Sequence, residues 1–275
     1  MSTLTVDHEK CNSCGLCALE CPGRLIKIAD SGALPVPIDG ADDVCVKCGH
    51  CVAVCPLGAV SIPTMKPQDC VKIRRALLPS SEQVEHFLKS RRSIRMYKKK
   101  LVPHDMLAKL VDIARYAPSA GNGQPLCWLV IENPEEVKRL AGLVIDWMRV
   151  AIKDSPEFAD LLGAQKKVAA WDKGEDRILW DVPHVVIAHA PGSDPTAPLD
   201  AHISLTYLEL AAYSQGLGAC WSGYLQAAIV FYPPVVEALQ LPEGHIGLGA
   251  MMIGYPKVRF SRIPLKNEPR IIWRQ

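Results

Sequence analysis

The sequence predicts an α+β protein with two unequal domains. A cysteine motif occurs twice near the amino terminus, and the rest of the chain alternates segments of helical apolar periodicity with short apolar runs typical of strands. The chain has 275 residues, 49% of them apolar, which is enough for one large and one small domain. The predicted boundaries give a small domain at residues 1–65, a linker at 66–80 and a large domain at 81–275.

The repeated motif has the spacing Cys-x2-Cys-x2-Cys-x3-Cys-Pro, and every cysteine recurs at an offset of 34 residues. Thiolates at this spacing are typical of [4Fe-4S] clusters in proteins that hold two of them. Three closely spaced cysteines bind one cluster, and the fourth reaches across to the other. The predicted ligand sets are therefore Cys11, Cys14, Cys17 and Cys55 for one cluster and Cys45, Cys48, Cys51 and Cys21 for the other.

Two other uses of these cysteines fit the pattern less well. Zinc sites normally use two Cys-x2-Cys pairs or include histidine, and disulfides need an oxidising compartment that nothing in the chain indicates. Short apolar or alternating runs predict strands at 3–6, 25–28, 36–38 and 59–62. Residues 1–65 resemble the bacterial two-cluster ferredoxins, which implies a ferredoxin-like βαββαβ fold. The three remaining cysteines, Cys70, Cys127 and Cys220, are interpreted as free thiols.

The large domain begins with a predicted helix whose capping box joins Ser80 to Gln83. A second helix starts at Pro103 and ends before Pro118. Residues 119–125 form a loop, and residues 150–181 are interpreted as a lid or insertion over a pocket, with Trp171, Trp180 and Tyr224 as candidate lining. The other predictions are strands at 128–131, 183–189 and 246–254, helices from Asn133 and over 201–214, and a turn at 216–223.

Composition argues against several classes of partner. A net charge of +2 and a pI of about 8.0 produce no strong field for nucleic acid, and the lysine run at 98–100 is interpreted as a solvated surface. No apolar run approaches the length of a membrane-spanning helix, and no apolar leader follows Met1. The expected location is therefore the cytoplasm, with no membrane partner.

Three segments of the large domain are suited to binding a phosphorylated, planar cofactor. Arg91, Arg92, Ser93 and Arg95 place three guanidinium groups and a hydroxyl together, as in phosphate sites. The small residues of 118–125 and 216–223 let a flat ring approach the backbone. Each segment also has an ordinary interpretation, respectively a solvated charge run, a connecting loop and a helix end.

The order and spacing of these segments resemble the FMN-dependent nitroreductase family, over residues 81–275. The resemblance implies an α+β sandwich with an antiparallel-rich sheet flanked by helices. It also implies a homodimer with FMN at the interface and a carboxyl-terminal arm, here 262–275, that reaches over the partner. The FMN contacts it implies are Arg91, Arg92, Ser93, Arg95, Pro118, Ser119, Ala120, Asn122, Gly218, Cys220, Trp221, Ser222 and Arg262, with Arg259 in place of a basic residue that the family often has where Phe260 stands here.

The fusion of the two regions predicts an FMN-dependent oxidoreductase. Electrons are expected to enter through the two clusters, pass to FMN and reduce a small acceptor such as a nitroaromatic, a quinone or an activated double bond. No catalytic side chain is required. Ferredoxin, NAD(P)H or both are the expected donors. Two alternatives are an electron-transfer adaptor for another redox protein and a redox sensor.

Overall fold

The computed structural model describes residues 4–30 and 32–275. The first residue of the strand predicted at 3–6 lies outside the described residues. The chain divides into two compact units, which are Met1–Pro79 with Gly121–Gly123, and Ser80–Ala120 with Gln124–Gln275.

The smaller unit consists of short strands and helices arranged around the two cysteine motifs. Two antiparallel pairs of strands form, Thr5–Val6 with Val60–Ser61 and Ile26–Lys27 with Val36–Pro37. Each motif enters its helix through a left-handed glycine, Gly15 with φ 76° and Gly49 with φ 74°, a conformation that glycine adopts without steric cost. The elements are β1 (Thr5–Val6), α1 (Leu16–Glu20), β2 (Ile26–Lys27), β3 (Val36–Pro37), α2 (Ala41–Val44), α3 (His50–Ala53) and β4 (Val60–Ser61).

The larger unit contains eight helices and four strands among the described residues. Its helices are α4 (Ser81–Ser90), α5 (His104–Ala114), α6 (Pro134–Asp154), α7 (Pro156–Leu162), α8 (Ala164–Trp171), α9 (Ala197–Ser214), α10 (Gly223–Phe231) and α11 (Pro233–Leu239). Its strands are β5 (Cys127–Ile131), β6 (His184–Pro191), β7 (Gly218–Trp221) and β8 (His245–Gly254).

The four strands form one antiparallel sheet in the order β5-β6-β8-β7. The central strand β6 buries both faces, since Val185 and Ile187 belong to one apolar cluster while Val186 and Ala188 belong to the other. Helices α5 and α9 cover one face, and α6, α8 and α10 contribute to the core on the other. The antiparallel sheet flanked by helices confirms the predicted fold class of this unit.

Local signals located several elements correctly. The capping box of α4 is present, with the Ser80 hydroxyl accepting from the Gln83 amide at 3.2 Å and the Gln83 side chain accepting from the Ser80 amide at 2.8 Å. Asn133 caps α6 by accepting from the Glu135 amide at 2.9 Å. These contacts join residues two or three positions apart, so the sequence alone specifies them.

One prediction about the large unit was wrong. The segment predicted as a turn at 216–223 contains β7, an edge strand that pairs with β8 from Gly218↔Gly254 to Trp221↔Met251, and these partners lie far along the chain. The segment predicted as a lid or insertion at 150–181 contains α7 and α8, whose Ala159 and Ala164 are fully buried in the core. No described helix has the length and apolar character needed to cross a bilayer.

Candidate functional site

The eight motif cysteines line two separate cavities in the smaller unit. One cavity is lined by Cys11, Cys14, Cys17 and Cys55, and the other by Cys45, Cys48, Cys51 and Cys21. In each cavity the fourth cysteine comes from the opposite motif, as in the predicted ligand sets. Cysteine is the residue type that holds iron–sulfur clusters, so the arrangement fits two such groups. Ligation itself stays a prediction.

The thiols in these cavities are partly shielded from water. Burial raises the pKa of Cys51 to about 11 and also raises the pKa of Cys17. A buried thiolate is costly unless a cation compensates its charge, and a bound metal deprotonates a thiol outright. The backbone amides of Ser13, Leu25 and Ala59 also point at cysteine sulfurs, at 3.2–3.4 Å. Such donors favour the thiolate form that iron requires.

In the larger unit, the arginine segment lies beside strand β7. The Ile94 amide donates to the carbonyl of Ala219 at 2.9 Å. Burial raises the pKa of Cys220, although the nearby Arg95 opposes the shift. The first and third predicted cofactor segments are therefore brought together by a backbone hydrogen bond.

The close approach depends on Gly218. A Cβ atom at this position would lie 2.7–2.8 Å from the side chain of Ile94, closer than two carbon atoms can pack. The structure thus gives this glycine a packing role under the arginine segment, whether or not it also contacts a cofactor.

A buried carboxylate holds one of the predicted cofactor residues. Glu209 of α9 is 6% exposed and accepts from Arg91 Nη1 at 2.7 Å. Burial raises the pKa of Glu209, while Arg91 and Trp221 oppose that shift. The Trp221 ring stacks on His202 at 5.4 Å between centroids. Glu209 therefore fixes the orientation of the Arg91 guanidinium group.

A cleft of about 550 Å³ lies in the larger unit. Four cationic side chains line it, and no acidic residue does so among those described. The cations are Arg92, Lys98, Arg259 and Arg262. Small-molecule sites commonly have this volume, and a cluster of guanidinium and ammonium groups is suited to phosphate. Arg259 and Arg262 thus lie together with Arg92, as the predicted phosphate contacts require.

Other predicted residues line different cavities. Arg95, Trp221 and Ser222 line a cavity of about 240 Å³, together with Trp180 and Tyr224. Ser222 is 2% exposed, and its hydroxyl has no hydrogen-bond partner within the described chain. A buried polar group of this kind normally has a partner, so this atom fits contact with a bound cofactor. Trp171 instead packs against the core.

The loop at 118–125 is held partly by α9. The Ala120 amide donates to Asp200 Oδ1 at 3.1 Å, and Asp200 is 2% exposed. The Ser119 hydroxyl accepts from the Gln124 amide at 3.0 Å and lines a third cavity of about 140 Å³. Pro118 is exposed. Asn122 belongs to the smaller unit, where its Nδ2 donates to the carbonyl of Val46 at 3.1 Å.

The predicted flavin contacts that line a cavity are therefore spread over three cavities of one chain. The arginine segment, β7 and the region around 259–262 come close together, whereas the loop at 118–125 lines a different cavity. Two acidic residues of α9, Asp200 and Glu209, were missed by sequence reasoning. Their only signal in the sequence is that each is a carboxylate on an otherwise apolar helix. Aspartate and glutamate are rarely buried unless a partner compensates the charge.

Comparison with known families identifies both regions. Residues 88–255, more than half of the chain, match the model of the nitroreductase family. The chain belongs to the nitroreductase family. Residues 10–60 match a 4Fe-4S dicluster domain. The predicted order, an iron–sulfur domain followed by a nitroreductase domain, is confirmed.

Several known proteins resemble this nitroreductase family member in sequence. A putative NADH dehydrogenase/NAD(P)H nitroreductase of Methanothermobacter thermautotrophicus is 28% identical over 64% of this chain and 79% of its own length. An FMN reductase [NAD(P)H] of Bacillus subtilis is 26% identical over 64% of this chain and 67% of its own length. The relatives support an FMN-dependent oxidoreductase of the nitroreductase type.

Solved structures show the same fold. A nitroreductase with bound FMN from Bacteroides fragilis superposes with a TM-score of 0.57 at 22% identity, covering 71% of this chain and all of its own. A nitroreductase with bound FMN from Desulfitobacterium hafniense also gives 0.57, at 18% identity, covering 72% of this chain and all of its own. At these identities the likeness establishes the fold of the larger unit.

Proposed function

We propose that this protein is an FMN-dependent oxidoreductase that receives electrons through two cysteine-bound [4Fe-4S] clusters and reduces a small organic acceptor. The observation that carries the proposal is the presence, in one chain, of two four-cysteine cavities and a nitroreductase fold with a cation-lined cleft. When bound, FMN supplies an exchange between single electrons and electron pairs, and iron–sulfur clusters supply single electrons.

The residues of the larger unit have distinct roles in this proposal. Arg92, Arg259 and Arg262 bind the cofactor phosphate in the cleft that they line. Ser222 offers its unpaired hydroxyl, and Arg95 offers a positive charge, to the cavity beside Trp221. A positive group near a developing negative charge stabilises the reduced form of a cofactor. Glu209 keeps Arg91 oriented, so that this side chain does not need to reorganise on binding.

A homodimer completes the flavin site in this proposal. The predicted contacts on the loop at 118–125 line a different cavity from Arg92 and Arg262. A second copy of the chain can supply the missing side of each site. The reducing conditions that cysteine-bound iron requires agree with a cytoplasmic location.

The acceptor proposed is a nitroaromatic, a quinone or an activated double bond. The names of relatives, which include an NAD(P)H nitroreductase, an FMN reductase and an iodotyrosine deiodinase of Thermotoga neapolitana, support a small acceptor. They also support NAD(P)H as a donor, in addition to a reduced ferredoxin. Fold alone does not select among these substrates.

The first experiment is anaerobic purification followed by cofactor analysis and turnover. About eight irons and one FMN per chain are expected from the ligand count. Chemically or ferredoxin-reduced protein should then turn over nitroaromatics or quinones. Protein that binds zinc in place of iron, or that carries no flavin, contradicts the proposal. Reduced protein that ignores small acceptors until a second redox protein is added indicates an electron-transfer adaptor instead.

Replacement of Cys14 by alanine tests the electron route, because it removes a ligand predicted for one cluster while the larger unit stays intact. We predict that FMN remains bound and that its reduction by reduced ferredoxin slows at least tenfold, as measured by stopped-flow absorbance. Cys70→Ser, which lies outside both motifs, is the matched control and should behave like the unaltered protein. Equal rates in all three proteins would show that electrons enter elsewhere.

A further inference from the structure

Three side chains that commonly bind metal ions meet at one end of the central sheet. They are Cys127 at the start of β5, His189 in β6 and His245 at the start of β8, and one ligand atom of each lies within 4.8 Å of the others. None of the three belongs to the cysteine motifs or to the predicted flavin contacts. Cys127 was expected from the sequence to be merely a free thiol.

The backbone of the sheet creates this meeting point. Cys127 and His189 are direct register partners on neighbouring strands, so their side chains project from the same face. A bulge follows Ala188, and His189 consequently pairs with Gly247 of β8. Bulges turn side chains away from the regular pleat, and the opposing glycine has no side chain of its own to occupy the space. His245 lies two residues from that glycine.

The imidazole rings of His189 and His245 point their Nδ1 atoms at each other. His189 Nδ1 and His245 Nδ1 are 2.9 Å apart, and the ring centroids are 5.1 Å apart. In a tetrahedral zinc site with Zn–N bonds of about 2.0–2.1 Å, two ligand nitrogens lie about 3.3–3.4 Å apart. An opening of less than about 0.5 Å therefore converts this pair into two convergent ligands. Without a cation, the two rings form a hydrogen bond in which one Nδ1 is protonated and the other is not. A cation between the rings would take the place of that proton.

We propose that Cys127, His189 and His245 form a zinc site with a fourth position open to water. Thiolate and imidazole together select a borderline-soft ion, and zinc accepts such mixed sulfur–nitrogen sets at four-coordinate sites. His189 is 6% exposed and anchors the site, whereas Cys127 is exposed and His245 is half-buried. The ion thus has an entry path from the surface, and its binding ties three strands together.

Zinc binding is tested on the full anaerobically purified chain with its cofactors in place. The protein is treated with a mild chelator, mixed with one equivalent of Zn²⁺ and desalted, and retained zinc is measured by mass spectrometry. We expect about one zinc per chain. Zinc-edge X-ray absorption then gives the ligand shell without interference from iron, and one sulfur with two histidine nitrogens is expected. No retained zinc, or a shell of four sulfurs, overturns the proposal, the latter because it places zinc in the cysteine motifs.

Substitutions identify the ligands. Cys127→Ser and His245→Gln alter side chains that are not fully buried, so both variants are expected to fold. Each should lower the affinity for zinc by at least about tenfold, because even the loss of a residue that hydrogen-bonds a metal ligand lowers metal affinity by that factor. Cys70→Ser and His104→Gln are the matched controls, as His104 is exposed and its Nδ1 lies 2.7 Å from Glu132 Oε1. They should retain zinc like the unaltered protein.

The iron content and FMN content of every variant show whether it has folded. Zinc retention that is unchanged in both Cys127→Ser and His245→Gln overturns the assignment. Zinc loss that is equal in the ligand variants and in the controls also overturns the assignment.

Discussion

At the scale of single residues, the buried acid Glu209 gives its partner Arg91 a role in stability. The Glu209 side chain is 8% exposed and pairs with Arg91, whose side chain is 29% exposed. Removing one member of such a pair leaves a charge buried without compensation, which costs more than the pair itself contributes. Arg91 therefore has a structural task in addition to any contact with a phosphate.

Replacement of Arg91 by alanine tests this task. We predict a free energy of unfolding lower by about 2 kcal/mol, somewhat less than the cost for a fully buried pair because Arg91 is partly exposed. Denaturant unfolding of the FMN-free protein, followed by tryptophan fluorescence, measures it. Adding Glu209→Gln to Arg91→Ala should recover part of the loss, because the buried charge is gone. A double variant that is less stable by the sum of both single effects would contradict the pairing.

A second buried group, His184, makes stability depend on pH. It is 1% exposed, and its Nε2 accepts from the Val102 amide at 2.9 Å, which requires the neutral ring. Burial lowers the pKa of His184 below its usual 6.5, although the nearby Glu132 opposes the shift. The unfolded chain then takes up a proton near pH 6.5 while the folded chain does not. The contribution to stability is present above that pH and is lost as the pH falls toward the lowered pKa.

We predict that the larger unit loses stability between pH 7.5 and pH 5.5 and that His184→Gln reduces this loss. Burial also lowers the pKa of His189, so part of the slope should remain. Denaturant unfolding at the two pH values measures it. The exposed His104, whose pKa Glu132 raises, is the control, and its replacement by glutamine should not flatten the profile. An unchanged slope in His184→Gln would exclude His184 as its source.

At the scale of elements, strand β7 shows how a glycine-rich segment becomes part of a sheet. It pairs with β8 on one side, and Ile94 lies against Gly218. A glycine in a strand often marks such a close approach. The sequence of 216–223 favours a turn by composition, and only the partners from distant parts of the chain convert it to a strand.

Replacement of Gly218 by alanine should therefore disturb the arginine segment. The new Cβ would meet Ile94, a β-branched residue with little rotamer freedom. Overpacking of this kind costs about 1–3 kcal/mol, and FMN affinity should fall with stability because the adjacent Ser93 and Arg92 are displaced. Equilibrium unfolding and fluorescence titration with FMN measure both effects.

Gly142 within α6 provides the matched control for that substitution. A Cβ there lies 3.5 Å from Trp171, an ordinary contact, and alanine favours a helix interior over glycine. Gly142→Ala should be at least as stable as the unaltered protein. If Gly218→Ala were equally stable, the packing argument would fail.

At the scale of the whole molecule, the carboxyl-terminal arm is suited to contact a second copy of the chain. Residues 257–275 form no helix or strand and are exposed throughout. Ile271, Ile272 and Trp273 are 53%, 88% and 83% exposed. Apolar side chains gathered on one short segment favour burial against a partner surface.

Replacement of Ile271, Ile272 and Trp273 by serine should weaken self-association. Burying one large apolar side chain contributes about 1.5–3 kcal/mol. Loss of all three should therefore raise the dissociation constant of the dimer by more than about tenfold. Sedimentation equilibrium measures the dissociation constant. Glu268→Gln, in the same arm, is the control and should leave it unchanged. An unaltered monomer–dimer equilibrium in the triple variant would show that the arm does not join two copies.

The sequence by itself determined the features that depend on near neighbours. The cysteine spacing grouped the four cysteines of each cavity correctly, and the capping box at Ser80 and the cap at Asn133 were predicted because their partners lie within three residues. The order of the two regions followed in the same way from the motifs.

Only the tertiary structure decided the features that join residues far apart in the chain. It paired Arg91 with Glu209, turned Gly218–Trp221 into a strand and brought Cys127 beside His189 and His245. The physical reason is that burial and sheet register depend on many distant contacts at once, whereas spacing and capping depend on a few adjacent residues.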